Sequence, residues 1–522
     1  MKLLLALVLA VLNPTYSPDS TKIAYTKGND LYVKDVATEV ETRLTFDGSD
    51  LILNGYASWV YYEEIFGRQS EYCAFWWSPD SRKIAFYRFD NSRVPMFPIY
   101  SPKGQDGVLN QTRYPKAGEV NPSVRIGLAD LSAGIVWADF EYDSEQYFGT
   151  PFWGKDSEEL YVSRMPRRQS MLDVYAVSVK DGSRRPVYHE EYPTWINWIE
   201  GMIFTDKGLY MARDFETGWE QIYFLSYDGK ELRRLPDGPN WRVNILRVDE
   251  KAGNVFFTAQ RDAMAKSALY KVDKKGEIKA LTDSSYSVSG VKFSPDGKKV
   301  AFIQDRKKLM VANVKTKDIK EVTDGSTWYS SSHPFEFEWS PDGKWFTVEF
   351  TANGHEPYND VGIISADGGE ITNITSSGYM SGGARWAMGG NAVLFQSEIY
   401  GMRAHASWGS QMDVFLCFVN QDAYDRYRLS KEDYELLKAS DKKAAKKDTT
   451  KAAKKIVVEL DGIQDRVVRL TPNSSDLGDA ILSQDGESLY YLSRFEKGLD
   501  LWKMTLRSRE TKLVSKGAGG GH

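Results

Sequence analysis

The sequence predicts an all-β protein, a β-propeller of roughly seven or eight blades. Three observations predict it: a turn motif that recurs six times, a spacing of 46 residues between two neighbouring copies, and 13% aromatic residues. Aromatic residues favour strands, and a period of about 40 to 50 residues is typical of four-stranded blades. A β-sandwich would rarely repeat one corner so often, and a parallel β-helix would use a much shorter period. The sequence leaves open whether the ring is complete, incomplete or a hybrid.

The recurring turn is Ser-Pro-Asp followed by Gly or Ser, and an alternating apolar strand comes shortly after it. Proline presets φ, aspartate accepts hydrogen bonds from nearby backbone amides, and glycine tolerates positive φ. Each copy should therefore mark a corner between two strands. Four intact and two degenerate copies occur: Ser17–Ser20, Ser78–Ser81, Ser294–Gly297 and Ser340–Gly343, then Gly154–Ser157 and Ser483–Gly486.

Composition and charge exclude several classes of protein. The net charge of −5 comes from mixed charges and leaves no basic face for a nucleic-acid backbone, so we expect no nucleic-acid partner. Cys73 and Cys417 each lie in an apolar run that reads as a strand, which favours two buried free thiols over a disulfide.

The first twelve residues, MKLLLALVLAVL, form a signal-like segment or an apolar strand. Ten apolar residues after Lys2 match the apolar region of a signal peptide and are too short to cross a bilayer. We therefore expect export, to the periplasm in a bacterium; a strand here would leave a cytoplasmic protein as the alternative. No other stretch has the length and apolarity of a transmembrane segment.

One segment departs from the blade pattern. Residues 442–455, KKAAKKDTTKAAKK, have nothing to bury and predict a solvated linker or mobile insertion. A polybasic membrane-binding patch is the alternative. A short helical pattern, YDRYRLSKEDYELLK, leads into the segment.

The sequence holds no recognisable catalytic nucleophile. The Gly-x-Ser-x-Gly elbow of α/β-hydrolases is absent: Gly378–Gly382 misses the spacing, and Ser407–Ser410 lacks the closing glycine. We predict no metal or other cofactor, because the histidines show no zinc-binding spacing. They are His189, His333, His355, His405 and His522.

The most unusual local feature is an acidic pair, Glu63 and Glu64, inside the aromatic run WVYYEEIF. Adjacent carboxylates without basic neighbours repel each other, and one pKa should rise unless a cation lies between them. The ammonium group of a ligand would serve. The alternative is that the pair begins an exposed helical turn and has no function.

Residues 13 to about 280 resemble the propeller of dipeptidyl peptidase IV-type enzymes of the prolyl oligopeptidase family. The resemblance is carried by NDLYVKD, GYASWVYYEEIF, FWWSPD, VPM, YPKAG and the following NP. It implies that a double glutamate, by position Glu63 and Glu64, binds the free N-terminal ammonium of a peptide substrate. It also implies a short helix for this pair and cleavage after the second residue of the peptide.

From about residue 281 the chain resembles instead the tricorn-type propeller of bacterial carboxy-terminal processing peptidases. FEWSPDGKWFTVEFTANGHEPYNDVGIISADGGEITNIT and LTPNSSDLGDAILS carry this second resemblance. The two resemblances divide the chain into blades at 13–280, blades at 281–441, the lysine-rich segment at 442–455 and further blades at 456–522, which we expect to be truncated.

The resemblance also marks what these 522 residues lack. They match neither the hydrolase domain with its Ser, Asp and His nor the domain that supplies the processing peptidases' Ser and Lys. No counterpart of the family's carbonyl-binding arginine precedes Asn13. We therefore expect a non-catalytic propeller portion of a serine peptidase, which gates access, binds peptide N-termini and needs a hydrolase domain or subunit as partner. The alternatives are the propeller of a tricorn-like processing peptidase and a stand-alone protein-binding propeller.

Overall fold

Nine antiparallel sheets follow one another along the part of the chain that the structure describes, and each is one propeller blade. The structure is a computed structural model that describes residues 11–102, 104–235, 238–328, 335–403, 409–445, 456–483, 485–495 and 498–519. The all-β propeller is confirmed, whereas the expected blade number of seven or eight is wrong. Six blades carry the Ser-Pro-Asp turn or a degenerate copy, and three further blades have corners without it.

The strands run in chain order within each blade. Blade 1 comprises β1 Val11–Tyr16, β2 Lys22–Lys27, β3 Asp30–Asp35 and β4 Glu41–Arg43. Blade 2 comprises β5 Ile52–Asn54, β6 Phe75–Trp77, β7 Lys83–Asp90, β10 Ser123–Asp130 and β11 Gly134–Trp137. Blade 3 comprises β12 Gln146–Phe148, β13 Phe152–Trp153, β14 Glu159–Pro166, β15 Met171–Ser178 and β16 Arg184–Glu191. A separate hairpin, β8 Met96–Ser101 and β9 Val108–Arg113, is inserted into blade 2.

Blades 4 to 9 have four strands each. Blade 4 comprises β17 Ile203–Phe204, β18 Gly208–Arg213, β19 Gln221–Ser226 and β20 Leu232–Arg234. Blade 5 comprises β21 Trp241–Asp249, β22 Asn254–Gln260, β23 Ala268–Val272 and β24 Ile278–Ala280. Blade 6 comprises β25 Val288–Phe293, β26 Lys299–Gln304, β27 Lys308–Asn313 and β28 Ile319–Glu321. Blade 7 comprises β29 Phe337–Trp339, β30 Trp345–Phe350, β31 Asp360–Ser365 and β32 Thr372–Asn373. Blade 8 comprises β33 Ser381–Ala387, β34 Ala392–Ser397, β35 Asp413–Phe418 and β36 Val467–Arg469. Blade 9 comprises β37 Asp476–Leu482, β38 Ser488–Arg494, β39 Leu499–Thr505 and β40 Thr511–Gly519.

Apolar packing between neighbouring blades forms the core and closes the ring. Among the described residues, eight buried clusters each join two consecutive blades, because alternate strand residues point to opposite faces of a sheet. The ninth cluster joins the last blade to the first: Ile23 and Tyr25 pack with Tyr490 and Leu501. A Lys512–Glu39 ion pair of 2.6 Å spans the same junction.

Each of the six predicted corners joins two antiparallel strands that pair with each other, such as β1 and β2 in blade 1 or β6 and β7 in blade 2. In the blade 1 corner, the Ser17 hydroxyl donates to Asp19 at 2.7 Å and accepts the backbone N–H of Lys22 at 3.0 Å. Corners also connect blades, since the backbone N–H of Asp80 donates to Oγ of Ser157 in the next blade at 3.1 Å. The corner turn is therefore both a local structure and a contact between blades.

A second repeat connects the third and fourth strands of several blades. In blades 1, 7 and 8 a buried aspartate at the start of the third strand accepts a hydrogen bond from a threonine hydroxyl just after the fourth. The pairs are Asp30 and Thr45 at 2.7 Å, Asp360 and Thr375 at 2.5 Å, and Asp413 and Thr471 at 2.6 Å. Blades 5 and 6 keep the threonine, which accepts a backbone N–H of the third strand.

The predicted helical segment is confirmed as an insertion into blade 8, with α1 Gln421–Arg428 and α2 Lys431–Ala445. Helix α2 includes the first four residues of the lysine-rich segment 442–455, and the remaining ten lie outside the described residues. Short turns of other helix types occur at Tyr61–Ile65, Arg68–Ser70, Ala352–Gly354, Met388–Gly390 and Ile463–Arg466. In the described part of the chain, the helices are too short or too polar to cross a membrane.

Both cysteines are free thiols, as predicted. Burial raises the pKa of Cys73 to about 11 and that of Cys417 to about 12, so both stay protonated near neutral pH. Of the signal-like segment 1–12, only Val11 and Leu12 belong to the described residues, and they begin β1.

Candidate functional site

The acidic pair lies on an excursion from the edge of blade 2. Strands β5 and β6 both pair with β7, and residues 55–74 leave the sheet between them. The backbone closes the base of this excursion, because the N–H of Ala74 donates to the carbonyl of Gly55 at 3.0 Å. We call this loop of blade 2, between β5 and β6, the acidic excursion.

The tip of the excursion is a single π-helical turn, Tyr61–Ile65, in which the N–H of Phe66 donates to the carbonyl of Tyr61 at 2.8 Å. Such turns are rare and often occur at functional sites. Tyr61 is fully buried, and its hydroxyl accepts the backbone N–H of Phe148 in blade 3 at 3.2 Å. Phe66 and Phe89 contact the Tyr61 ring edge-on at 5.5 and 4.8 Å. The turn is therefore anchored between blades 2 and 3.

Both carboxylate oxygens of Glu63 have partners. Its Oε2 accepts a hydrogen bond of 2.5 Å from the indole N–H of Trp59, and its Oε1 accepts one from the guanidinium of Arg68. These two donors, Arg68 first, hold the pKa of Glu63 below its usual value because they stabilise the charged form. The expected rise of one pKa in the pair does not occur at Glu63, because the guanidinium of Arg68 lies beside its carboxylate.

Glu64 differs from Glu63 in its surroundings. Its side chain is exposed, and among the described residues no group donates a hydrogen bond to it. Tyr114, which follows β9, lies near both carboxylates. Burial is the main cause of the raised pKa of Tyr114, and the negative charges of Glu64 and, to a smaller extent, Glu63 raise it further. The Tyr114 ring contacts Trp59 edge-on at 5.7 Å, so the hairpin's return strand borders the acidic turn.

The arrangement can hold a small cation. One carboxylate is charged and oriented by two donors, the neighbouring carboxylate is open to solvent, and aromatic rings form the base and one side. Two carboxylates that face one ammonium group make charge-assisted hydrogen bonds, which are stronger than neutral ones.

Two other sequence candidates that lie in the described ranges have side-chain partners. Ser381 is buried, and its hydroxyl bonds that of Ser397 at 2.9 Å. His189 lies 2.7 Å from a carboxylate oxygen of Asp173. Three or more metal-ligating side chains come together nowhere in the described ranges. Ser407 and three of the five histidines, His333, His405 and His522, lie outside those ranges.

The comparisons with known proteins point to one family. Residues 9–303 match the family model described as the dipeptidyl peptidase IV (DPP IV) N-terminal region. The match covers blades 1 to 5 and reaches into blade 6, so it includes the acidic excursion and the hairpin.

Curated relatives are fungal dipeptidyl peptidases. A probable dipeptidyl-aminopeptidase B of Emericella nidulans is 30% identical over 311 residues, which cover 52% of this chain and 34% of the relative. A dipeptidyl peptidase 4 of Arthroderma otae is 28% identical over 302 residues, which cover 54% of this chain and 38% of the relative. The chain thus spans little more than a third of the relatives that it matches.

Among solved structures, the crystal structure of Porphyromonas gingivalis dipeptidyl peptidase 4 is similar with a TM-score of 0.53. The superposition covers 65% of this chain and 50% of that chain at 22% sequence identity. At this identity the similarity concerns the fold alone.

Proposed function

This chain belongs to the family of the dipeptidyl peptidase IV N-terminal region, and on that premise we propose that it is the propeller portion of a serine-type dipeptidyl peptidase. In this proposal, Glu63 and Glu64 bind the free N-terminal ammonium of a peptide. The observation that carries the proposal is the anchored π-helical turn, in which two consecutive residues supply one carboxylate oriented by donors and one exposed to solvent, both near Tyr114.

Electrostatics supports an ammonium group as the ligand. Glu63 is ionised at neutral pH because its pKa lies below the usual value. With a second carboxylate next to it, the turn carries a local negative charge that attracts a cation. The three N–H donors of an ammonium group can bond oxygens of both carboxylates at once.

The same geometry supports selection for free N-termini. An acetylated or internal amide nitrogen carries no charge, so its binding would leave the carboxylates desolvated without a partner. The propeller would therefore act as an exopeptidase filter that fixes the register of the peptide. Under this proposal the bond-breaking groups come from a hydrolase domain or subunit, and the propeller gates access to it. We also propose an exported, periplasmic location.

The proposal is tested by isothermal titration of the chain with tetra-alanine amide and with its N-acetylated twin. We expect saturable binding of the free amine and at least about ten-fold weaker binding of the acetylated peptide, because a hydrogen-bonded charge pair is lost. The variant E63Q/E64Q should lose the preference, since glutamine keeps the shape and removes both charges.

A matched control is E71Q, which removes one exposed carboxylate from the same excursion. It should bind both peptides as the unmodified chain does. Equal affinity for the two peptides, or no binding of either, would refute the recognition role. A preference that survives in E63Q/E64Q would place the ammonium site elsewhere.

A further inference from the structure

A resident cation, Arg68, already pairs with one member of the acidic pair, Glu63, in the ligand-free chain. Arg68 contacts Oε1 of Glu63, whose other oxygen, Oε2, is bonded by Trp59. Every oxygen of Glu63 is therefore engaged, whereas Glu64 accepts no hydrogen bond from any described residue. An incoming ammonium group could bind Glu64 directly but would have to compete for Glu63.

The backbone places Arg68 at this position. Gly67 has φ +80°, in the region that favours glycine, and a Cβ there would lie 2.5 Å from side-chain atoms of Gln69. After this reversal a 3-10 turn runs from Arg68 to Ser70. The reversal brings a residue five positions after Glu63 back beside its carboxylate.

The side chain of Arg68, in contrast, can leave. It is 73% exposed, against 25% for the Glu63 side chain, so the guanidinium can turn into water without any change in the fold. Exposed ion pairs of this kind contribute little free energy and exchange readily. The fold therefore keeps Arg68 close but does not hold it.

We propose that Arg68 is a built-in counter-ion of Glu63 that neutralises the empty site and is displaced when a peptide ammonium binds. This inference rests on the proposed function and adds a specificity-determining residue to it. A ligand that lacks an ammonium group does not displace Arg68. The resident ion pair therefore lowers the affinity for free peptides and narrows the preference for them over blocked peptides.

The test is titration of R68Q with tetra-alanine amide, with R82Q as the matched control. Arg82 is exposed in the same blade, and no described carboxylate forms an ion pair with it, so both variants lose one positive charge. We expect R68Q to bind the free peptide about two- to five-fold more tightly than the unmodified chain, and R82Q to bind it equally. In the double variant E63Q/R68Q this gain in affinity for the free peptide should vanish, because the carboxylate that Arg68 pairs with is absent.

A direct readout is the side-chain ¹⁵N signal of Arg68. Tetra-alanine amide should move it from the paired to the solvated position, and the acetylated twin should leave it unchanged. The inference is overturned if R68Q binds no more tightly than R82Q, or if the signal does not respond while the unmodified chain still prefers the free amine. If no variant prefers the free amine, the proposed function itself fails, and the two failures are thus distinguishable.

Discussion

The indole N–H of Trp59 donates a hydrogen bond of 2.5 Å to the carboxylate of Glu63, four residues further along the chain. The Trp59 ring also contacts Tyr114 at the end of the inserted hairpin. One tryptophan therefore connects the acidic turn to the strand that returns from the hairpin, and it orients one of the two carboxylates.

The substitution W59F tests this connection. Phenylalanine keeps a ring beside Tyr114 and removes the donor, so the charged form of Glu63 loses stabilisation and its pKa should rise. As the pH falls, binding of a free-amine peptide should then be lost at a higher pH than in the unmodified chain. Carbon-13 titration of the Glu63 carboxyl group measures the change, and an unchanged pKa would contradict the orienting role.

The corner aspartates should make the protein sensitive to acid. The backbone N–H of Thr21 and the hydroxyl of Ser17 lower the pKa of Asp19 from 3.8 to about 2. The pKa of Asp296 is also lowered, chiefly by the backbone N–H of Lys298. Because these values are lower in the folded state, the stabilisation is present above about pH 4 and disappears as the pH falls towards about 2.

The acid effect is measured by the melting temperature of the double variant D19N/D296N between about pH 5 and pH 2. Asparagine can still accept the turn hydrogen bonds but does not titrate. We expect a curve that falls less steeply with decreasing pH than that of the unmodified chain. Parallel curves would show that the corners do not contribute to acid unfolding.

A matched pair of serines tests the corner contact between blades. Ser157 and Ser20 both have positive φ, 63° and 59°, but only Ser157 accepts the backbone N–H of a preceding corner. The change S157G should lower the free energy of unfolding by about 1–2 kcal/mol, because the N–H of Asp80 loses its partner. In contrast, S20G should leave stability unchanged or raise it by up to about 1 kcal/mol, since glycine relieves the φ strain. Equal effects at the two sites would contradict a role in joining blades.

The root of the helical insertion depends on a buried arginine. Arg466 is 5% exposed and donates to the backbone carbonyls of Phe418 and Asp461 at 3.1 Å each, and to that of Glu459. These carbonyls lie on both sides of the insertion, so the guanidinium joins its two ends.

We expect R466M to destabilise this part of the protein by about 2–4 kcal/mol, because three carbonyls lose a charged donor. Hydrogen exchange of strand β35 provides the local measurement. The exposed R426M in α1 is the control and should change stability by less than about 0.5 kcal/mol. Similar exchange in the two variants would show that Arg466 does not hold the root.

Local sequence patterns predicted much of the fold. The hydroxyl and carboxylate of Ser-Pro-Asp accept hydrogen bonds from backbone N–H groups within five residues, so the corner forms wherever the motif occurs. The family could also be predicted from short contiguous runs such as WVYYEEIF and FWWSPD. The match over residues 9–303 confirms that prediction. The resemblance of the later blades to tricorn-type propellers stays a prediction.

The role of the repeated threonines was missed, although Leu-Thr pairs such as Leu44-Thr45 and Leu470-Thr471 are visible in the sequence. Their partners precede them by 15 residues in blade 1 and by 58 residues in blade 8. The blade 8 separation includes the whole helical insertion. No fixed spacing therefore connects the two residues in the sequence.

The strand corners, the all-β class, the family and the acidic pair could be predicted, because each depends on residues adjacent in the chain. The number of blades and the counter-ion of Glu63 depend on contacts that form only in the folded chain. Nine blades close the ring because Ile23 and Tyr25 pack against Tyr490 and Leu501, and no local pattern encodes a contact between the ends of the chain. Arg68 reaches Glu63 because the backbone reverses at Gly67, so the charge of the site depends on a backbone geometry that residue spacing does not reveal.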